Sequence, residues 1–456
     1  MAGIGFELRK LLRTQSYLGL LRAYVYASII SSGPWVFSIL GLIATGIISL
    51  GVVTPGLLIT QFQVTVTYLI MGSLVLTGGL QLGFTRWVAD RLFEDQREQI
   101  GGAYLGVMLV TTAVAGGVGL LVSLFAFGGV DAFYRAWIVL GFTLLCNLWI
   151  ATAFLSGLKN YRLIVLMYAL GYAASVALAA LARRWGIDGL LAGFLGGQFV
   201  MWVVMVWLVL RNFPVQRPLS LECFRPGRMY VALLAGGTLY NLGIWADKLV
   251  FWFDPQTSRP IIGALRASTI YDLPVFLAYL SVIPGMAVFL VKFETDFVEW
   301  YDEFYKTVRS GGTLGAIVGF RERMQDVVRD GLYQILKVQA LTLLSLYTFA
   351  PSIFRLIGIS QLYIPLYMVQ AVAASFQVML LAVLNVFYYL DRRSEVVLIT
   401  ASLALWNVAL SALSIRLGSD FYGYGFAVSI LGTLFLGLLL LQGLFRKLEY
   451  QTFMLQ

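Results

Sequence analysis

The run NLGIWADKLVFWF, residues 241–253, sets an aspartate beside a lysine inside a stretch otherwise suited to hydrocarbon. A charge near the centre of a bilayer costs about 2.5 to 3.5 kcal/mol even on lenient insertion scales. Asp247 and Lys248 therefore need a return in structure or in function. Neighbouring residues on a helix point about 100° apart, so the two are poorly placed to pair with each other. The next apolar run offers complementary charges in Arg266 and Asp272, within reach in depth at about 1.5 Å per residue. One reading is a neutral network that fastens two helices. The other is a charged lining for a water-filled cavity facing a substrate.

Spacing extends the pattern. Asn241, Trp245, Lys248 and Trp252 fall at i, i+4, i+7 and i+11, one polar and aromatic face of a helix. Tyr24, Ser28, Ser31 and Trp35 form a similar face around Gly33 and Pro34. A sugar chain carries hydroxyls for hydrogen bonds and C–H faces that lie on aromatic rings, so such faces suit it. The plainer alternatives are Trp and Tyr at a membrane interface, Ser packing between helices, and Lys248 resting on a Trp ring.

These residues must be positioned by membrane helices. The chain is 60% hydrophobic and 12% charged, and its mean hydropathy is +0.84. An average soluble chain carries roughly a quarter charged residues. Its apolar runs are about twelve, each near the 20 residues a helix needs to cross the hydrocarbon; the seventh spans 229–253 and the eighth 263–291. A β-barrel would show shorter alternating segments, so an all-α polytopic membrane protein is expected. If Met1 is cytoplasmic, most of the 32 Lys and Arg fall in cytoplasmic segments, which predicts a multi-pass protein of a bacterial inner membrane with both termini inside. The basic residues are spread over many loops and form no single face, so the charge of +9 is a topology signal and no nucleic-acid partner is expected.

The sequence has no His and only two Cys, Cys146 and Cys223, far apart. There is no metal-ligand spacing and no phosphate-binding loop, so neither metal nor cofactor is expected and the enzyme class is disfavoured.

Residues 1–22 read as a cytoplasmic amphipathic segment, 23–210 as a six-helix lobe, 211–228 as a proline- and arginine-rich cytoplasmic linker, 229–445 as a second six-helix lobe with a cytoplasmic insertion at 292–330, and 446–456 as a tail. Two such halves are the arrangement of transporters built from repeats. Gly33 and Pro34 in the first span, and Pro274 and Pro284 in the eighth, are candidate hinges or static kinks. In the insertion, Phe293, Phe297, Trp300, Tyr301 and Phe304 recur at helical spacing opposite Glu294, Glu299, Asp302 and Glu303, an amphipathic helix whose acidic side disfavours anionic lipid. Either the aromatic stripe packs on the chain's own helices, or Phe293, Phe297, Trp300 and Phe304 dock a cytosolic partner.

The opening MAGIGFELRKLL, the SSGPW of the first span (31–35) and YNLGIWADKLVFWF (240–253) resemble the PelG family of exopolysaccharide transporters, and the resemblance covers essentially the whole chain. It implies a member of the multidrug/oligosaccharidyl-lipid/polysaccharide (MOP) exporter superfamily, with a MATE-like fold of two six-helix lobes around a central cavity. It also implies an N-acetylgalactosamine-rich polymer substrate in biofilm matrix synthesis. The implied partners are the cytosolic glycosyltransferase PelF and the membrane proteins PelD and PelE, under cyclic-di-GMP control. The competing expectations are a lipid-linked-oligosaccharide flippase or drug antiporter of the same superfamily, and a non-conducting scaffold for a membrane synthase.

Overall fold

The computed structural model of the chain describes residues 17–157, 161–215, 219–225 and 229–454. The opening 1–12, most of the amphipathic segment 1–22, part of the linker 211–228 and the last two residues of the tail lie outside the described residues.

The helices in chain order are α1 (Tyr17–Ser49), α2 (Leu57–Phe93), α3 (Glu98–Ala126), α4 (Ala132–Gly157), α5 (Tyr161–Ala182), α6 (Gly186–Asn212) and α7 (Val231–Phe253). A hairpin of β1 (Arg259–Ile262) and β2 (Leu265–Ala267) follows, then α8 (Thr269–Tyr279), α9 (Ile283–Val291), α10 (Val298–Arg309), α11 (Leu314–Ile357), α12 (Ile364–Tyr389), α13 (Arg393–Leu417) and α14 (Tyr424–Met454). Among the described residues, 10 segments are long and apolar enough to cross a membrane; one of them, Leu163–Asn212, contains both α5 and α6. The charged α7 lies outside that set and, at 23 residues, is itself long enough to span. The expected dozen is thereby accounted for.

The chain divides into two compact units, one of Gly33–Thr269 and one of Met1–Ser32 with Ile270–Gln456. By packing, α7 and the hairpin after it group with the unit Gly33–Thr269. The reason is glycine. On α2, Gly78 and Gly79 face Gly237 of α7 so closely that a Cβ on Gly78 would lie 2.9 Å from the Gly237 carbonyl oxygen. With no side chains between them the two backbones approach, as in small-residue contacts of membrane helices, and α7 joins the first unit. In the same unit Ser175 of α5 donates to the Phe194 carbonyl at 3.0 Å, and Gln198 of α6 donates to the Ser175 hydroxyl at 3.0 Å. An aromatic core that includes Phe62, Phe84, Tyr104, Phe154 and Phe194 fills the space among these helices.

The eighth span does not begin at Gly263 as the hydropathy suggested. Residues 259–267 form the hairpin, with Arg259 opposite Ala267 and Pro260 opposite Arg266. Gly263 turns it with φ +54, and a Cβ there would sit 2.5 Å from the Phe127 ring. The span that follows is discontinuous: α8 ends at Tyr279, a single tight turn covers Leu280–Val282, and α9 opens with Pro284 in its first turn. A π-helical stretch, Lys292–Phe297, carries the chain on into α10. Pro284 thus marks a real break, because it has no N–H to continue the ladder. Pro274 sits within α8. α1 runs unbroken through Pro34, and the division between the two units falls between Ser32 and Gly33.

α11 has 44 residues, about 66 Å of helix and twice what the hydrocarbon requires. Its first turns therefore project beyond the membrane, where Thr313 accepts from the Ala316 N–H and Gly358, in the left-handed conformation, ends the helix at the far side. α10 folds against this projection.

Candidate functional site

The Asp247–Lys248 pair lies in the last two turns of α7. Both side chains are buried. Lys248 Nζ lies 3.1 Å from Asp247 Oδ1, donates to the Ile244 carbonyl at 3.0 Å, and stands 5.7 Å from the centre of the Trp245 ring. The expectation that adjacent residues are poorly placed to pair is corrected: the four-carbon lysine stem is long enough to fold back along the helix and bring its ammonium over both the carboxylate and the carbonyl one turn earlier. Arg266, one of the two complementary charges the sequence offers, is engaged elsewhere. Arg266 stands on β2, where its guanidinium donates to the Trp252 carbonyl at 3.2 Å, to the Ser258 hydroxyl at 2.9 Å and to the Ser258 carbonyl at 3.3 Å. It closes the hairpin onto the end of α7.

The aromatic members of this face gather with a residue the sequence reading missed. Tyr68 of α2 stacks on Trp252 at 4.5 Å and donates to the Arg266 carbonyl at 2.8 Å. Trp245 lies 6.3 Å from Trp252. Trp252 is 1% exposed and Lys248 2%, so in this structure they are interior groups; Asn241 and Trp245 keep partial exposure. Asn241 donates to its own Gly237 carbonyl at 3.0 Å and lies against Gly78, which ties it to the α2–α7 contact. Nothing in the spacing of α7 points to Tyr68, which comes from a helix more than 170 residues earlier in the chain.

On α1 the serines turn inward on their own helix. Ser28 donates to the Tyr24 carbonyl at 2.9 Å and Ser31 to the Ala27 carbonyl at 2.8 Å. Trp35 is half-buried.

The second unit holds a polar cluster that the sequence reading did not assemble. Lys292, in the π-helical stretch, bridges Asp296 and Asp330, each at 3.1 Å, and Tyr24 lies within electrostatic reach of all three. Two residues on, Glu294 accepts from Asn385 Nδ2 at 2.8 Å and from the Tyr389 hydroxyl at 2.7 Å. The wider π turn places Lys292 and Glu294 toward different neighbours, α11 and α12. π turns inside helices occur often at functional sites. Asp272, in the first turn of α8, belongs to this unit, whereas Lys248 belongs to the other.

The phenylalanines of the insertion's aromatic stripe are interior, while Trp300 and Tyr301 are half-buried. Phe293, Phe297 and Phe304 are each 0% exposed; Phe297 and Tyr301 lie against Tyr389 at 5.8 and 5.7 Å. Trp300 stacks on Phe320 of α11 at 6.1 Å beneath the Arg323 guanidinium, 4.6 Å from its ring centre. The chain's own helices cover Phe293, Phe297 and Phe304, the first of the two expectations for the stripe, whereas Trp300 keeps partial exposure. Among the described residues no group of three or more His, Cys, Asp or Glu could hold a metal ion.

The fold matches solved transporters of the MOP superfamily. One is an outward-facing multidrug resistance MATE family transporter, with TM-score 0.69 and 14% identity, 94% of this chain and 96% of that one being covered. A MATE transporter in complex with MaL6 gives TM-score 0.65 at 14% identity with the same coverage. A MOP superfamily transporter from Pyrococcus furiosus, whose description speaks of a reversed polarity of the binding pocket, gives 0.62 at 15% identity, covering 93% and 96%. Identities this low establish the fold alone. No curated protein sequence matches. The model of the PelG family, described as an exopolysaccharide exporter (EPS-E), matches residues 1–453. This chain, a multi-pass helical protein with a MOP-type transporter fold, belongs to the PelG family of exopolysaccharide exporters.

Proposed function

We propose that the protein moves the Pel polymer from cytoplasm to periplasm across a bacterial inner membrane, with both termini cytoplasmic, and that it performs no chemical step on the sugar. The family match over residues 1–453 carries this reading. The distribution of Lys and Arg supports the orientation. Without a nucleotide-binding motif in the sequence, elongation by the synthase or an ion gradient supplies the drive. The half-exposed Asn241 and Trp245 are the sugar-contact candidates of α7, with Asp247 and Lys248 holding the helix behind them; Trp35 is the candidate of α1. A cytosolic glycosyltransferase, PelF, delivers the chain, and PelD and PelE complete the assembly. Since the phenylalanines of the aromatic stripe are covered, the glycosyltransferase meets the outer, charged faces of α10 and the projecting part of α11, where Asp302, Lys306, Glu322 and Arg329 are exposed.

Proteoliposomes carrying the transporter and the glycosyltransferase, supplied outside with nucleotide sugar, test the reading. Polymer protected from an added glycosidase inside the vesicles is the expected result. Polymer made in normal amount but wholly accessible outside would favour a scaffold.

A further inference from the structure

The first unit contains a groove that the polar site does not use. Its volume is about 410 Å³, and its walls come from α2, α3, α4, α7 and β2. The residues that define it include Gly72, Val75, Val118, Val122, Phe142 and Leu249. Its two hydroxyls are engaged elsewhere: Thr65 is bonded to the Tyr134 hydroxyl at 2.6 Å, and Tyr68 donates to the Arg266 carbonyl at 2.8 Å. With only these two engaged hydroxyls among otherwise apolar walls, a sugar would leave most of its polar groups unpaired there, and burying them carries a penalty.

Two features define the occupant. One end is closed by the hairpin, whose turn is fastened to α3 by the Ala264 N–H donating to the Ala126 carbonyl at 3.1 Å, with Phe127 and Leu265 lining that end. Along its length the groove meets the outer surface of α3. Val122 at its rim is 45% exposed, and Leu121, Leu124 and Phe125 beside it are exposed at 56%, 54% and 86%. On a membrane-spanning helix that apolar surface faces hydrocarbon, so the groove is continuous with the bilayer boundary. On α7 its lining runs from Leu249 to Leu242, about 6 to 16 Å below the helix end, roughly the depth of one leaflet. The groove is also narrow. A Cβ at Gly72 would lie 3.1 Å from the Phe142 ring, and one at Gly119 would lie 3.4 Å from the Val139 Cα of α4 and 3.6 Å from that ring.

We propose that this groove holds one acyl chain of a membrane phospholipid, entering sideways past Val122 and lying along α2 between α3 and α7. An unbranched chain matches a slender, predominantly apolar channel. Water does not stabilise such a space, and an unfilled lining forfeits its dispersion contacts. The bound chain props α3 and α7, the helix that carries Asp247 and Lys248, at a fixed separation.

Two single variants, Gly119→Leu and Val75→Phe, place a side chain in the groove. Each is purified through an extended detergent wash, and retained phospholipid is counted by native mass spectrometry. In parallel, phosphatidylglycerol bearing a mid-chain diazirine is cross-linked in nanodiscs and mapped by peptide. The native protein is expected to keep one phospholipid per chain and to cross-link at Val118, Val122 and Leu249. Each variant should lose at least ten-fold of both signals, while cross-linking at the outward-facing Leu405, 70% exposed, stays unchanged. Val75 is only half-buried, so its variant carries the test if Gly119→Leu does not fold. Undiminished retention in a folded variant, or a native protein that keeps no phospholipid and cross-links no more at Val118 than at Leu405, would overturn the proposal.

Discussion

Each unit sets charges among apolar helices, and it balances them differently. In the first, Asp247 and Lys248 adjoin in sequence, are almost wholly buried, and close on each other and on the Ile244 carbonyl within one turn. In the second, Lys292, Glu294, Asp296, Asp330, Asn385 and Tyr389 come from three parts of the chain and remain partly open. Asp247 and Lys248, adjacent on one helix, shift together with it. A network spanning α11, α12 and the π turn changes whenever those elements shift against one another, so it is placed to register a conformational change.

The largest effect should come from breaking the buried pair on one side only. Lys248→Met leaves the Asp247 carboxylate without its ammonium, and losing one partner of a buried pair typically costs about 3 to 5 kcal/mol. Thermal unfolding and membrane abundance should both fall sharply. The double change Asp247→Asn with Lys248→Met should recover most of the loss. If the double variant is stable and abundant but exports no polymer, the pair has a transport role beyond packing; if it exports normally, its role is structural.

Glu294→Gln should cost less, about 1 to 3 kcal/mol. The amide keeps one acceptor for Asn385 or Tyr389 and turns a donor toward the other. Because this network links three elements, the variant should also alter hydrogen exchange around 292–297 and the end of α12, whereas the α7 variants should act around 241–253. Matching exchange patterns from both would remove the contrast between the units.

Lys292→Met comes next. Its two ion pairs have side-chain exposures of 19% for Lys292, 35% for Asp296 and 51% for Asp330, so solvent screens them and about 1 kcal/mol or less is expected. Arg323→Ala, which uncovers Trp300, should cost about 0.5 to 1 kcal/mol and leave the buried Phe297 and Phe304 in place; urea or thermal midpoints resolve a change of that size.

Orientation can be read with single cysteines at the exposed Arg259 and Arg329. Cys146 is 0% exposed and Cys223 7%. Burial also pushes the Cys223 thiol up to about 12, so little thiolate is present at neutral pH and the native cysteines stay silent. An impermeant maleimide should label Arg259→Cys from the periplasm, and Arg329→Cys only after the membrane is opened. The reverse order would invert the topology.

Much of this molecule is legible in one dimension because hydrocarbon is an unforgiving solvent. Backbone polar groups must be satisfied within the span, so twenty apolar residues in a row fix a helix before any packing is known. The sequence therefore determined the number of spans, the all-α class, the projecting amphipathic insertion and the bend at Pro284. Motifs such as SSGPW carried the family. Contacts between distant segments were decided in three dimensions. Gly78 and Gly237 look like ordinary glycines until two backbones meet at them, and that meeting assigns α7 to the first unit. Hydropathy reads 263–267 as membrane because Leu265 and Ala267 are apolar, yet they are a buried edge of a hairpin turned by Gly263. The amphipathic stripe announced that something would cover it; only the fold of α10 onto α11 and α12 decided that the cover is the chain itself. Periodicity reports which face of a helix is apolar, and it carries no information about which distant surface, Tyr68 for Trp252 or Asn385 for Glu294, will be brought against that face.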